Sequence, residues 1–159
     1  MDVKIKSEEG NFKMRVAGLV IKEGKLLTVN ICNNGFFCLP GGHVHLGESS
    51  EEAIKREIGE EVGLTCKSIK MLALIENFFK SVKGVVTHEV CYFYMVEPNE
   101  DIKTEDYTYV ENDEGELKNL EFKWFDLNKL DKMDFRPSAL GKKLAKNDFE
   151  FEHIITKDF

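Results

Sequence analysis

Apolar residues recur along this chain in alternating or β-branched runs, a pattern that predicts strands. Two such runs, residues 12–21 and 25–32, flank a tight turn at residues 22–24, so we expect them to form a hairpin. Two longer runs, residues 68–79 and 85–96, are rich in β-branched and aromatic residues and predict a second hairpin. The pattern therefore favours a fold with several paired strands.

The remaining segments predict shorter elements. Residues 36–39 predict a short strand that leads into Pro40, and residues 120–125 alternate like a strand. The other expectations, from the N-terminus onward, are a frayed or edge segment at 1–10, a polar loop at 97–118 with a short strand at 107–110, a short helix at 127–133, a helix at 138–146 that begins after Pro137, and a last strand or tail at 151–156.

One helix interrupts the strands, and its two ends are well marked. Ser49 followed three residues later by Glu52 matches a capping box, which satisfies free backbone amides at a helix start. Gly63 suits the left-handed residue that commonly ends a helix. The sequence therefore predicts a helix from about residue 50 to about residue 62.

This helix carries a concentrated acidic face. At about 100° per residue, Glu57, Glu60 and Glu61 share one arc. The next arc is apolar and predicts the buried stripe, which consists of Ile54, Ile58 and Val62. Three neighbouring carboxylates repel one another, and Arg56 can offset only part of that repulsion. A solvated acidic surface is one interpretation; a site for Mg²⁺ or Mn²⁺, which prefer hard oxygen ligands, is the other.

The spacing of these residues resembles the Nudix box, G-x5-E-x7-R-E-U-x-E-E-x-G-U, where U is aliphatic. The positions that match are Gly42, Glu48, Arg56, Glu57, Ile58, Glu60, Glu61, Gly63 and Leu64. Every fixed position is filled. Leu39-Pro40-Gly41-Gly42 also resembles the usual entry into the box, and Trp124 is similar, more weakly, to a later aromatic position of the family.

The resemblance implies an α+β protein with the Nudix fold, a mixed β-sheet in an α/β/α sandwich, as one domain over residues 1–159. It also implies a MutT-like, metal-dependent pyrophosphohydrolase that acts on nucleoside diphosphate-linked substrates. One alternative is a non-catalytic nucleotide-sensing or interaction module. A further alternative is diphosphate chemistry other than hydrolysis, such as isomerisation.

The resemblance also assigns expected roles to the box residues. Glu57, Glu60 and Glu61 are the expected ligands of Mg²⁺ or Mn²⁺, joined by the carbonyl of Gly42 and, as a weaker candidate, by Glu48. Glu57 is also the expected general base. Arg56 is expected to orient the glutamates within the catalytic site through ion pairs.

Outside the box, fewer residues stand out. His43 lies in the variable stretch of the box and is a candidate for contact with substrate. Among the aromatic residues Phe36, Phe37, Phe78 and Phe79 we expect one to stack on a nucleobase, with Phe36 and Phe78 as the candidates. Additional acidic residues are solvated charges in the simplest interpretation and extra catalytic groups in the other; these are Glu89, Glu111, Asp113, Glu114 and Glu116.

Substrate preference is set outside the box. Residues 79–82 lack the proline that family members acting on ADP-ribose often carry and the tyrosine of those acting on dinucleoside polyphosphates. Residues 25–39 lack the arginine-rich signature of coenzyme A hydrolases. Nucleoside triphosphates, including oxidised ones, are therefore the default substrates, with capped or triphosphorylated RNA ends as a less favoured alternative.

Composition narrows the partners. The chain has 159 residues and a net charge of -7, which argues against broad binding to long nucleic acid. No apolar run predicts a membrane span, and the first residues lack the apolar core of a signal peptide, so we expect a cytoplasmic protein. A homodimer is possible, as in many family members. The four cysteines, Cys32, Cys38, Cys66 and Cys91, sit in apolar stretches and predict buried free thiols.

Overall fold

Ten strands form two sheets around two α-helices in the computed structural model, which describes residues 1–158. The strands are β1 Lys4–Lys6, β2 Asn11–Leu19, β3 Ile21–Lys22, β4 Lys25–Ile31, β5 Gly41–His43, β6 Cys66–Lys80, β7 Val86–Pro98, β8 Tyr107–Asp113, β9 Glu116–Asp126 and β10 Glu152–Asp158. The helices are α1 Ser50–Val62, a 3₁₀ helix Leu127–Lys132 and α2 Ser138–Ala145.

The larger sheet is mixed and has the strand order β1-β2-β7-β6-β10, with β5 also paired to β2. Strands β2 and β7 run parallel, as do β6 and β10, whereas β6 and β7 form the predicted long antiparallel hairpin. The smaller sheet is antiparallel, in the order β3-β4-β9-β8.

Helix α1 begins and ends where its sequence predicts. The Ser49 hydroxyl accepts a hydrogen bond from the Glu52 amide, and the Glu52 carboxylate accepts one from the Ser49 amide, which completes the capping box. Gly63 adopts the left-handed conformation, with φ of 74°, and its amide donates to the Gly59 carbonyl. These local signals therefore fix the part of the chain that carries the acidic face.

The two helices cover opposite faces of the larger sheet. Val16 of β2 packs in one apolar cluster with Ile54 and Ile58 of α1, and a side chain at Gly18 would collide with Ile58. The alternate β2 residues, such as Ala17, join a second cluster that includes Leu140 of α2. This arrangement is the expected α/β/α sandwich, and the smaller sheet adds a further layer over α1 through residues such as Phe122.

The predicted first hairpin is wrong in its extent. The run 12–21 is divided at Val20, so β2 joins the larger sheet while only Ile21–Lys22 pairs with β4. Val20 is fully buried between the two sheets, and its carbonyl accepts a hydrogen bond from Leu27. A continuous apolar run cannot show where a chain passes from one sheet to another, because both halves are buried.

The predicted short strand at 107–110 is confirmed as the start of β8, whereas the predicted loop is wrong over residues 111–118, where β8 and β9 form a hairpin. Glu114 and Gly115 both have positive φ, 51° and 87°, as tight hairpin turns require. Most side chains of β8 are exposed, so the apolar alternation that reveals a half-buried strand is weak there.

Two smaller expectations also fail. Residues 36–39 form isolated bridges, Cys38 with Val29 and Phe37 with Phe135, in place of a regular strand. Among the predicted buried thiols, Cys91 is buried, Cys38 and Cys66 are only partly buried, and Cys32 is exposed because it lies at the turn after β4. Within residues 1–158, helices of the length and apolarity that a bilayer requires are absent.

Candidate active site

The glycine pair of β5 brings two glutamates of α1 against its backbone. The Gly41 amide donates a hydrogen bond of 3.0 Å to Oε2 of Glu61. A Cβ added at Gly42 would collide with the carboxylate of Glu57, so that carboxylate fills the space that a larger residue would occupy. Glycine at position 42 therefore permits the close approach of backbone and carboxylate.

Arg56 forms ion pairs with Glu48, Glu57 and Glu60. Its guanidinium donates to both carboxylate oxygens of Glu48, from Nε at 2.8 Å and from Nη2 at 3.0 Å. Nη1 donates to Oε1 of Glu57 at 2.8 Å and reaches Oε2 of Glu60 at 3.3 Å. Nη2 also donates to the His43 carbonyl at 3.0 Å, so Arg56 ties the box loop to the helix.

The glutamates have opposite acidities. Hydrogen bonding to Arg56 lowers the pKa of Glu48 to about 2. Burial raises the pKa of Glu57 despite its bond to Arg56. Burial also raises the pKa of Glu61 to about 8, and the nearby charges of Glu111 and Glu57 add to that rise. The charge of Glu61 is thus poorly compensated by the protein alone, and the single bond of Glu57 to Arg56 does not offset its burial.

The predicted box residues lie close together but do not form a complete metal-binding site within residues 1–158. Among residues 1–158, three or more His, Cys, Asp or Glu side chains do not converge on one point suited to a metal ion. Arg56 stands among Glu48, Glu57 and Glu60, and the Glu60 side chain is 62% exposed. The ligand roles of Glu57, Glu60 and Glu61 therefore stay a prediction.

His43 lies beside the box carboxylates but faces the N-terminal segment. Its Nδ1 is 3.5 Å from Oδ2 of Asp2, whose other oxygen is 3.4 Å from Nε2 of His45. Burial, and then the charge of Arg15, lower the pKa of His43 to about 4. His43 is therefore neutral near neutral pH, and its role in substrate contact stays a prediction.

The two candidate aromatic residues occupy different parts of the molecule. Phe36 lies under the guanidinium of Arg136, 4.1 Å from its ring centre. Phe78 stacks on His88, with ring centres 4.3 Å apart, and Lys157 lies over its ring. These contacts involve other side chains than the box glutamates, so a role in base stacking stays a prediction for both.

The comparison with protein families decides the relationship of the chain. The family model described as the NUDIX domain matches residues 12–144. The chain belongs to the NUDIX domain family.

Curated relatives of this NUDIX domain have several different names. The chain is 36% identical over 123 residues to a protein of Methanocaldococcus jannaschii named ADP-ribose pyrophosphatase. The aligned region covers 76% of this chain and 65% of that protein. It is 37% identical over 65 residues to an RNA pyrophosphohydrolase of Proteus mirabilis, covering 40% and 37% of the two chains. The chain thus spans less than two thirds of the length of these relatives.

Solved structures confirm the Nudix fold. The MutT protein of Bacillus halodurans superimposes with a TM-score of 0.65 at 15% identity, over 91% of this chain and 90% of that one. The MutT protein of Methanosarcina mazei gives a TM-score of 0.58 at 22% identity, over 90% and 96%. The predicted membership of the family and the predicted fold are therefore confirmed.

Sequence reasoning about this NUDIX domain missed Arg15 and misjudged the surroundings of Glu89. Arg15 of β2 lies 3.7 Å from the carboxylate of Glu89 on β7. Glu89 is buried, so its interpretation as a solvated charge is wrong. The available signal was a charged residue that directly precedes the apolar stretch 16–21.

Proposed function

We propose that this NUDIX domain is a metal-dependent hydrolase that cleaves the phosphoric anhydride of nucleoside diphosphate-linked substrates. The observation that carries the proposal is the convergence of Glu57 and Glu61 on the Gly41-Gly42 backbone. Both carboxylates are partly buried, and the pKa of each is raised. A protein that only displayed acidic side chains to solvent would leave them at the surface with ordinary acidities.

The residues present fit a divalent cation. The backbone of Gly42 and the carboxylate of Glu57 share a space that a Cβ would fill, and Glu61 lies on the neighbouring amide. We propose that Glu57, Glu60 and Glu61, with the Gly42 carbonyl and with Glu48 as a weaker ligand, hold Mg²⁺ or Mn²⁺. An ion held there would supply charge neutralisation for the phosphates and would lower the pKa of a bound water.

The chain's own side chains supply the remaining roles. Glu57 accepts the proton of the attacking water, because Arg56 holds its carboxylate against the Gly42 backbone, among the proposed ligands of the ion. Arg56 positions Glu57 through its bond of 2.8 Å and holds Glu48 with its other nitrogens. Arg56 thus acts through the glutamates, and its own contact with substrate is not needed.

Names of relatives support the substrate class in a general way. Proteins similar to this chain are named ADP-ribose pyrophosphatase and RNA pyrophosphohydrolase, both of which denote cleavage of a pyrophosphate bond. We propose small nucleotides as substrates, with nucleoside triphosphates, including oxidised ones, as the default.

The test is chromatographic detection of the hydrolysis products of nucleoside triphosphates, nucleotide sugars, ADP-ribose, dinucleoside polyphosphates and capped RNA, with and without Mg²⁺ or Mn²⁺. We expect metal-dependent turnover of one class. The double variant Glu60→Gln, Glu61→Gln should lose it, whereas Glu51→Gln, which changes an exposed glutamate of the same helix, should not. Turnover by the double variant at the wild-type rate would contradict the proposal, and nucleotide binding without any turnover would favour the non-catalytic module.

A further inference from the structure

The sheet face opposite α1 changes character along its length. At one end Ala17, Ile75 and Cys91 belong to the apolar cluster that packs with α2. Beyond them, the strand registers place polar and charged residues on the same face of β2, β7, β6 and β10. This polar patch consists of Lys13, Arg15, Asn77, Phe79, Glu89 and Thr156.

Contacts between side chains confirm that members of the patch share one face. The Thr156 hydroxyl donates to Oδ1 of Asn77 at 2.6 Å. Lys13 on β2 reaches over the ring of Phe79 on β6, with Nζ 5.7 Å from the ring centre, and so crosses β7. The patch is therefore a continuous polar surface across four strands.

Arg15 is weakly paired within the patch. Its guanidinium offers five N–H donors, and among residues 1–158 its ion pair is the contact with Glu89 at 3.7 Å, which is too long for a good hydrogen bond. Burial opposes its charge, yet its pKa is raised by the Glu89 carboxylate beside it. At the same time 27% of its side chain is accessible, so a ligand can reach the guanidinium.

Arg15 also lies beside the proposed active site. In the pairing of β2 with β5 it is the partner of His43, the residue that follows Gly42. Its positive charge is near enough to lower the pKa of Glu57 and of Glu61. An accessible guanidinium next to a site for phosphoric anhydrides is well suited to bind phosphate oxygens.

The charges of the patch favour an anionic ligand. On this face Lys4, Lys6, Lys13 and Arg15 carry positive charges, and Glu89 and Asp158 carry negative charges, within a chain whose net charge is -7. Burial lowers the pKa of Lys13. A bound anion would stabilise the charged form of Lys13 as well as Arg15. Repulsion between them is partly offset by Glu89, which faces both on the neighbouring strand.

We propose that Arg15, aided by Lys13, binds the part of the substrate's phosphate chain that the box glutamates do not hold, and that Glu89 is a positioning residue for Arg15. The inference rests on the proposed function, and it favours substrates with an extended oligophosphate chain over those in which the diphosphate is joined to a neutral sugar.

The experiment titrates inorganic triphosphate calorimetrically into wild type and variants at saturating Mg²⁺, and measures nucleotide turnover on the same samples. We expect Arg15→Gln to weaken triphosphate binding about 10- to 100-fold, as loss of charge-assisted hydrogen bonds does, and to raise KM far more than it lowers kcat. Arg15→Lys should restore part of the affinity, because it keeps the charge and loses the fork of donors.

Two further variants separate binding from folding. Arg15→Gln with Glu89→Gln removes both partly buried charges together, so the doubly changed protein keeps no unpaired carboxylate and remains a test if Arg15→Gln alone unfolds. Because Glu89 acts through Arg15, adding Glu89→Gln to Arg15→Gln should not weaken binding further. Lys70→Gln, which changes an exposed lysine of β6, is the matched control and should bind like wild type.

The outcomes distinguish this inference from the proposed function. If wild type hydrolyses nucleotides and Arg15→Gln binds triphosphate as tightly as wild type does, the role of Arg15 is overturned and the proposed function stands. If wild type neither binds triphosphate nor hydrolyses any nucleotide, the proposed function is overturned, and the role of Arg15 falls with it.

Discussion

Glu48 and Glu61 are carboxylates of the same site with opposite acidities. Glu48 accepts two bonds from Arg56 and one from the His45 amide, and its pKa falls to about 2. Glu61 accepts one bond from the Gly41 amide and lies near Glu57 and Glu111, and its pKa rises to about 8. Arg56 thus neutralises the charge of Glu48, whereas the bonded partner of Glu61 is a neutral backbone amide.

The difference indicates which carboxylates serve the structure and which are available for chemistry. A carboxylate already paired with a guanidinium gains little from a second cation, whereas a poorly compensated pair gains much. The Arg56 end therefore holds the loop and helix together. A divalent ion has the most favourable effect at Glu61, whose bonded partner is a neutral amide, and next at Glu57, which keeps one bond to Arg56.

The largest expected effect is the loss of catalysis when Glu57 is replaced. Glu57→Gln keeps the shape of the side chain but cannot accept a proton, so kcat should fall about 1000-fold. Steady-state turnover at saturating Mg²⁺ checks this, with Glu51→Gln as the control. A Glu57→Gln protein within about threefold of wild type would assign the base to another residue.

Replacing Arg56 should lower the stability of the folded protein. Arg56→Met leaves Glu48 and Glu57 without their partner, so the free energy of unfolding should fall by about 2–4 kcal/mol. Urea unfolding of the metal-free protein measures it. The pKa of Glu48 should return toward its ordinary value of 4.5, and an unchanged value in the variant would contradict the role given to Arg56.

A smaller effect is expected in the pH dependence of the metal-free protein. Because the pKa of Glu61 is raised from 4.5 to about 8, the folded state binds more protons than the unfolded state between these values. The contribution of Glu61 to stability therefore decreases as pH rises through this range. Glu61→Gln should remove that decrease and be more stable than wild type near pH 8 by about 1–3 kcal/mol. Parallel unfolding curves for the two proteins across the range would contradict it.

The smallest effect concerns a contact outside both ends. Ser49→Ala removes the capping box at the start of α1 and should lower the free energy of unfolding by about 1 kcal/mol. Because Ser49 does not touch Arg56 or Glu61 in the described structure, turnover should stay near wild type. A loss of turnover as large as that expected for Glu57→Gln would show that the helix start controls the site.

The sequence was sufficient for the parts of the molecule that depend on local signals. Helix α1 is fixed by Ser49, Glu52 and Gly63, so its bounds and its acidic face follow from neighbouring residues. Two long apolar runs likewise predict the β6–β7 hairpin.

Other features depend on contacts between distant segments. The pairing of Arg15 with Glu89 joins strands more than 70 residues apart, and the approach of Glu111 to Glu61 requires a hairpin whose exposed strands lack apolar alternation. The acidities of Glu48 and Glu61 differ because of burial and partners, which residue type alone does not contain.

The most direct test of the account is the number of protons released when Mg²⁺ binds. Calorimetric titrations at about pH 7, in two buffers with different ionisation enthalpies, give this number. If Glu61 is protonated in the metal-free protein and becomes a ligand, close to one proton should leave per bound ion, and Glu61→Gln should release almost none. Metal binding without proton release, or equal release by the variant, would contradict the assignment of Glu61 as a ligand of the ion.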